Sequence, residues 1–219
     1  MSATNTKAKF FRMFTSDSRS ALRSRKQWLC GVLVAVFSLA TIFSASAADE
    51  GPLRAWLAEA AKDQTVEIGF LQERTVPSLD KPVSTKGRFI RYKNGGFLWE
   101  LGKPPETILK FDGTKLTMED RIDEETKTLS PSDPRVRPIF RFATARDPDA
   151  FFKTFSLIGA TTENGVYTAS LKPRNPTFAR QVKSVILQID ASTNTINVFD
   201  VRQKSGARTL VRFAKPVVK

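Results

Sequence analysis

Hydrophobic and polar residues alternate along most of the chain after residue 65, and this period of two predicts β-strands. In "TVEIGFLQERT", Val66, Ile68 and Phe70 alternate with polar or charged neighbours, as in a strand with one buried face. The stretch "TKGRFIRYKNGGFLWEL" predicts two strands joined at Asn94-Gly95, and "ETILKF" and "TKLTMED" predict two more joined at Asp112-Gly113. Both dipeptides favour tight hairpin turns, so these strands are expected to pair antiparallel.

The second half of the chain continues the strand pattern. Five segments, "FSLIGAT", "GVYTASLK", "VKSVILQID", "TINVFDVRQ" and "RTLVRF", are separated by turn signals at Asn164-Gly165, Ser192 to Asn194 and Ser205-Gly206. No alternation of strands with long helices is present, so a parallel sheet is not expected. The pattern predicts a mainly β protein of about eleven strands, arranged as an antiparallel sheet or barrel.

Helical periodicity is confined to short segments. Asp49, Glu50 and Pro52 form a helix start, and one apolar face follows at Leu53, Trp56, Leu57 and Ala60. "DPRVRPIFRFATA" has Val136, Ile139, Phe140 and Ala143 at helical spacing, and "DPDAFFKTF" begins with an Asp cap and a Pro suited to the first helical position. These helices are expected to cover the sheet.

Residues 1–47 have the order of a secretory signal. Basic residues precede the apolar run "WLCGVLVAVFSLATIF", and small residues follow at Ala45 and Ala47. The run is short for a membrane span, so cleavage after Ala47 is expected, with an uncleaved anchor as the alternative. Because residues 1–47 hold seven Lys/Arg and one Asp, the formal charge falls from +13 to +7 in residues 48–219, one predicted domain.

The residue types exclude several chemistries. The chain has no His, and its one Cys, Cys30, lies in the predicted signal, so Ser-His-Asp and Cys-His catalysis are excluded from residues 48–219. No cofactor motif is present, and nucleic acid is a poor fit because no binding motif accompanies the positive charge. The acidic cluster is typical of a solvated hairpin loop, since it lacks the glycine of a calcium loop; its carboxylates are Glu119, Asp120, Asp123, Glu124 and Glu125.

Phenylalanine is abundant, with 12 of the 17 Phe residues in residues 48–219. Aromatic side chains fill protein cores more often than they line ligand cavities. Composition and periodicity therefore leave two interpretations open: a packed aromatic core, or an apolar cavity on the concave face of a curved sheet.

The order of several motifs resembles the LolA family of periplasmic carriers that take lipoproteins to the outer membrane. The motifs are "FLQER" at 70–74, "KGRFIRY" at 86–92, "GGFLWELGKPPETILKFDGTKL" at 95–116, "RPIFRFA" at 137–143 and "SLKP" at 170–173. The resemblance spans most of residues 50–215. It implies a half-open antiparallel barrel of about eleven strands, covered by short helices, with an apolar cavity for acyl chains.

The resemblance also implies a set of site residues. The expected cavity wall comprises Phe70, Phe89, Phe97, Trp99, Leu109, Phe111, Leu116, Met118, Ile139 and Phe140. The family has an Arg-Pro pair where this chain has Lys93-Asn94, and that Arg holds the lid helix shut through backbone carbonyls. Lys93 is therefore the candidate latch, with carbonyls near Phe142 and Ala143 as its acceptors.

The resemblance implies a carrier rather than an enzyme, with no cofactor and no metal. Its expected partners are the acyl chains of a lipoprotein or another lipid, an inner-membrane exporter and an outer-membrane acceptor, and the carrier is expected to be monomeric. Because Lys93-Asn94 departs from the family pattern, a glycolipid or another lipid remains an alternative cargo. Two other classes stay open: an envelope protein that docks another protein, and a lipid hydrolase using Glu67, Glu100 or Ser170.

Overall fold

A single antiparallel sheet dominates the computed structural model, which describes residues 49–62, 64–133 and 136–219. Its strands are β1 (Val66–Thr75), β2 (Val83–Arg91), β3 (Phe97–Leu101), β4 (Thr107–Phe111), β5 (Leu116–Asp120), β6 (Glu125–Leu129), β7 (Phe155–Glu163), β8 (Val166–Pro173), β9 (Val182–Asp190), β10 (Thr195–Gln203), β11 (Arg208–Phe213) and β12 (Val217–Val218). The predicted mainly β fold of about eleven strands is confirmed. The predicted signal, residues 1–47, lies outside the described residues.

The sheet order shows why the barrel is only half-open. The strands follow one another as β6-β5-β4-β3-β2-β1-β11-β10-β9-β8-β7, and the short β12 pairs with the start of β1. Each pair is antiparallel, and β6 and β7 form the two ends of this path without pairing to each other. The N-terminal and C-terminal halves therefore meet at β1 and β11.

Local turn chemistry sets the register of the hairpins. Gly95 and Gly113 have φ values of +89° and +107°, a region that glycine enters without steric penalty. The Asp112 carboxylate accepts hydrogen bonds from the backbone N–H of Thr114 (2.9 Å) and Lys115 (2.8 Å). These bonds lower the pKa of Asp112 to about 2, with the Lys115 N–H as the largest cause. Both predicted hairpin turns are confirmed, and the acidic stretch forms the exposed β5–β6 hairpin.

Four short helices lie among the described residues: α1 (Gly51–Ala60), α2 (Arg137–Ala143), α3 (Pro148–Thr154) and α4 (Pro176–Ala179). The predicted face of α1 is buried, and the Tyr167 hydroxyl of β8 donates to the Asp49 carbonyl at 2.5 Å just before this helix. Asp147 caps α3 as predicted, since its side chain accepts from the Asp149 N–H at 2.8 Å. None of these helices is long and apolar enough to cross a membrane.

The sheet curves around α2. The Phe142 ring lies 6.2 Å from the Phe89 ring of β2 and 4.7 Å from the Phe199 ring of β10. Those two strands are three steps apart in the sheet, which is about 14 Å in a flat sheet. One ring can contact both only because the two strands face each other across a concave surface.

Candidate functional site

The concave surface of β1 to β4 carries the aromatic residues that the sequence analysis singled out. Phe97 and Trp99 occupy alternate positions of β3 and so share a face, opposite Phe111 and Leu109 on β4. The Phe70 ring lies 4.4 Å from Trp99, and Phe89 lies 5.6 Å from it. The predicted wall residues are therefore brought together on one surface.

Helix α2 covers this surface in the structure. Phe140 packs 6.1 Å from Phe97 and 5.1 Å from Phe111, both edge-on. Phe142 stacks on Phe213 at 5.6 Å and lies 5.9 Å from Trp56 of α1. Since α2 places its own rings against the sheet, this arrangement is a covered state of the concave face.

Burial shows how completely the wall is covered. Phe97 and Trp99 are 0% and 1% exposed, and the buried core also includes the predicted residues Phe70, Phe89, Leu109, Leu116 and Phe140. Phe111, Met118 and Ile139 are partly buried and pack against that core. These residues thus fill a core in this state, and their role in lining a cavity stays a prediction.

An open cavity of about 240 Å³ lies beside this cluster. Three predicted residues, Phe89, Phe142 and Ala143, line it. Its other lining residues come from α1, the start of β1, the end of β2, the β9–β10 turn and the C-terminal segment: Trp56, Glu59, Ala60, Gln64, Val66, Ile68, Arg91, Thr193, Asn194, Thr195, Ile196, Pro216 and Val218. Most of these lining residues are apolar, and the charged and amide side chains among them are Glu59, Gln64, Arg91 and Asn194.

These further lining residues were not predicted to belong to a site. The apolar face of α1 contains Trp56 and Ala60, but periodicity alone shows burial rather than proximity to a cavity. The alternation on β2 offered a clearer signal, because Arg91 follows Phe89 by two residues and must face the same side.

Arg91 is the charged residue of β2 at this cavity. Its Nε is buried and has no hydrogen-bond partner. Burial lowers the pKa of Arg91, the neighbouring Arg146 cation lowers it further, and Glu59 acts in the opposite direction. A buried donor without a partner is unfavourable, so the site has unused capacity to bind an acceptor.

A second arginine links the β2–β3 hairpin to the segment that follows α2. The Arg146 guanidinium donates to the carbonyls of Tyr92 (3.0 Å) and Lys93 (3.3 Å). Lys93 takes part in this link through its backbone oxygen, whereas its side chain lies in the exposed turn. The predicted latch position is thus a point of contact, with Arg146 as the donor seen here, and a role for the Lys93 ammonium stays a prediction.

The residues considered for a lipid hydrolase lie on the opposite face of the sheet. Arg88 pairs with Glu100 (2.8 Å) and Glu67 (3.5 Å), and both acids alternate with inward-facing residues. A hydrogen bond from Lys219 is the largest cause of the lowered pKa of Glu67. Ser170 alternates with the buried Ala169 and Leu171 on β8. Within the described residues, no group of three or more His, Cys, Asp or Glu side chains could hold a metal ion.

The family assignment agrees with this geometry. The sequence profile of the outer membrane lipoprotein carrier protein LolA matches residues 61–219, and the chain belongs to this family. Its open antiparallel sheet with short helices is the fold expected of that family. No curated protein sequence matches the chain.

Solved structures with a similar fold share little sequence with the chain. A LolA superfamily protein from Nitrosomonas europaea has 10% identity and a TM-score of 0.42, over 74% of this chain and 92% of that protein. A domain from Vibrio parahaemolyticus, described as an outer membrane lipoprotein-sorting protein, has 7% identity and a TM-score of 0.43, over 77% and 91%. MucB, in its Pseudomonas aeruginosa complex with MucA, has 16% identity and a TM-score of 0.36, over 75% and 55%.

Proposed function

We propose that this protein is a periplasmic carrier that shields the acyl chains of a lipoprotein, or of another lipid, between the inner and outer membranes. The single observation that carries the proposal is the cavity of about 240 Å³ between α1, α2 and the concave face of the sheet. Membership of the lipoprotein-carrier family supports the same role. Binding of this kind needs an apolar, water-excluding surface and no catalytic group.

The volume of the cavity limits what the covered state can hold. An apolar cavity of about 150 Å³ in another protein accommodates benzene, so about 240 Å³ corresponds to roughly ten carbon atoms. Each CH₂ removed from water contributes about 0.8 kcal/mol, so even a partly enclosed chain gains considerable binding free energy. A longer chain, or several chains, needs more room than this.

Displacement of α2 would supply that room. Phe140 and Phe142 of α2 occupy the concave face, and moving them would expose the cluster around Phe97 and Trp99. The predicted wall, from Phe70 to Phe140, would then line the enlarged cavity in the loaded state. On this proposal the protein works as a monomer that receives cargo from an inner-membrane exporter and delivers it to an outer-membrane acceptor.

Lipid analysis of the exported protein tests the proposal. The protein is purified from the periplasm without detergent, its intact mass is measured, and organic-solvent extracts are examined by mass spectrometry. The expected result is a chain that begins at Ala48, together with acyl lipid close to stoichiometric amounts. A protein that yields no lipid and fails to bind a fluorescent fatty alcohol would overturn the carrier role and favour docking of another protein.

A further inference from the structure

Arg91 differs in its pairing from two other arginines of the described sheet, which bind acidic side chains. Arg88 binds Glu100 at 2.8 Å, and Arg208 binds Asp200 through two hydrogen bonds of 2.8 and 2.9 Å. Within the described residues, the Arg91 side chain makes no hydrogen bond or ion pair, although its Nε is buried. The guanidinium therefore lacks the direct ion pair that usually accompanies a partly buried arginine, and Glu59 acts on it only through its charge.

Two charged neighbours act on Arg91 in opposite directions, and the cation Arg146 has the larger effect. Arg146 lies on the carbonyls of Tyr92 and Lys93, directly after Arg91 in the chain, and its charge opposes that of Arg91. Glu59 is the acidic residue among the described residues of the cavity lining, and its carboxylate pairs with Lys62 at 2.6 Å. An anion bound at Arg91 would therefore offset the repulsion from Arg146, which Glu59 offsets only in part.

The apolar part of the cavity lies next to this charge. Phe89 precedes Arg91 by two residues on the same face of β2, and both line the cavity. Thr193, Asn194 and Thr195, around the β9–β10 turn, also line the cavity. A lining that combines apolar side chains with a cation and several polar residues matches the polarity of an amphiphile.

We propose that Arg91 binds the anionic headgroup of an amphiphile whose acyl chain fills the cavity. The proposal rests on the carrier function and names its cargo class, a lipid that carries a phosphate or a carboxylate. The planar guanidinium can donate two parallel hydrogen bonds to either group, a geometry that lysine cannot reproduce. Binding would satisfy the buried Nε and offset the repulsion from Arg146.

A headgroup series tests the proposal on the mature chain. Decyl phosphate and decanol have the same chain, and inorganic phosphate has the headgroup alone; each is titrated calorimetrically below its aggregation limit. We expect decyl phosphate to bind at least about tenfold more tightly than decanol, the size expected for a charge-assisted hydrogen bond. Inorganic phosphate should bind far more weakly than either, because it gains no burial of apolar surface.

Variants at position 91 then locate the effect. Arg91→Gln should lose the roughly tenfold preference for decyl phosphate over decanol, taken as the ratio of the two affinities measured on the same variant. Arg91→Lys should retain part of the preference, because lysine keeps the positive charge but cannot donate two parallel hydrogen bonds from a planar group. Lys86→Gln is the matched control, since it removes one positive charge from an exposed position on the outer face of β2. Thermal melts of each variant check that the fold is retained.

The possible failures are distinguishable. Equal binding of decyl phosphate and decanol, unaffected by Arg91→Gln, would overturn the headgroup site while leaving the carrier function intact. Failure of the wild type to bind either decanol or decyl phosphate would overturn the carrier function and the headgroup site together. Inorganic phosphate that binds as tightly as decyl phosphate would show an anion site unconnected to the apolar cavity.

Discussion

Replacing Phe142 by alanine should change both the stability of the protein and the length of chain that it binds. Phe142 lines the cavity, and its ring packs against Trp56, Phe89, Phe199 and Phe213. Truncating a buried phenylalanine to alanine costs about 3 to 5 kcal/mol. For a domain of this size, that corresponds to a fall in Tm of roughly 6 to 20 °C.

The same change should enlarge the space available to cargo. In the wild type, the affinity for fatty alcohols should stop rising near ten carbons, where the cavity of about 240 Å³ is filled. In Phe142→Ala, each further CH₂ that enters the enlarged space should contribute up to about 0.8 kcal/mol, or about fourfold in affinity. The affinities of decanol, dodecanol and tetradecanol, measured by displacement of a fluorescent fatty alcohol, give this cut-off directly.

Phe178→Ala provides the matched control. Phe178 of α4 is 1% exposed and packs on Phe155, and it is absent from the cavity lining. It should lose a similar amount of stability while keeping the chain-length limit of the wild type. If Phe142→Ala and Phe178→Ala share the same limit, the space beside Phe142 is not where cargo binds and the reasoning fails.

Three further predictions address the sheet, the hairpin and the turn. Gly87→Ala should lower Tm, because its Cβ would lie 2.2 Å from Phe70 Cζ and 2.5 Å from the Glu100 carbonyl oxygen. In Gly69→Ala the new Cβ would have no atom within 4 Å, so Tm should not fall. An equal fall in Tm for the two variants would contradict this prediction. Arg146→Gln should speed amide exchange in α2 more than Lys93→Leu does, since Arg146 donates to both hairpin carbonyls; the opposite order would support the Lys93 latch. Asp112→Asn should remove a loss of stability in acid. The pKa of Asp112 is about 2 in the folded protein against an ordinary 3.8. The ionised carboxylate therefore contributes its full share of the folding stability above about pH 4, and this share is lost as the pH falls towards 2. Parallel acid-unfolding curves for Asp112→Asn and the wild type would refute that assignment.

Most of the fold could be predicted because its determinants are local. Alternation placed Phe97 and Trp99 on one face, and Asn94-Gly95 and Asp112-Gly113 marked the hairpins, since side-chain direction and positive φ depend on neighbouring residues only. The Asp147 cap and the buried face of α1 followed in the same way. Three short elements were not predicted. Strand β6, Glu125–Leu129, has Leu129 as its single apolar residue and so shows no alternation. Helix α4 carries an Asn175 cap and Pro176 that could have identified it, whereas the two residues of β12 are too few for any period.

The site depended on contacts between residues distant in the chain. The sequence grouped aromatic residues into a candidate wall, but it could not show that α2 covers Phe97 and Trp99 while leaving space beside Phe89. It pointed to Lys93 by position, whereas the tertiary structure placed Arg146, 53 residues further along the chain, on the Lys93 carbonyl.

Arg91 likewise has one property that the local sequence determines and another that depends on tertiary contacts. Alternation on β2 directs its side chain inward after Phe89, and this much is a property of the strand alone. Its lack of a direct ion pair depends on which elements pack around the end of β2: α1, whose Glu59 pairs with Lys62, and the segment after α2 that contains Arg146. The direction in which a side chain points from a strand is set by backbone geometry over a few residues. The electrostatic environment of a side chain is set by every group within a few ångströms, and only folding brings those groups together.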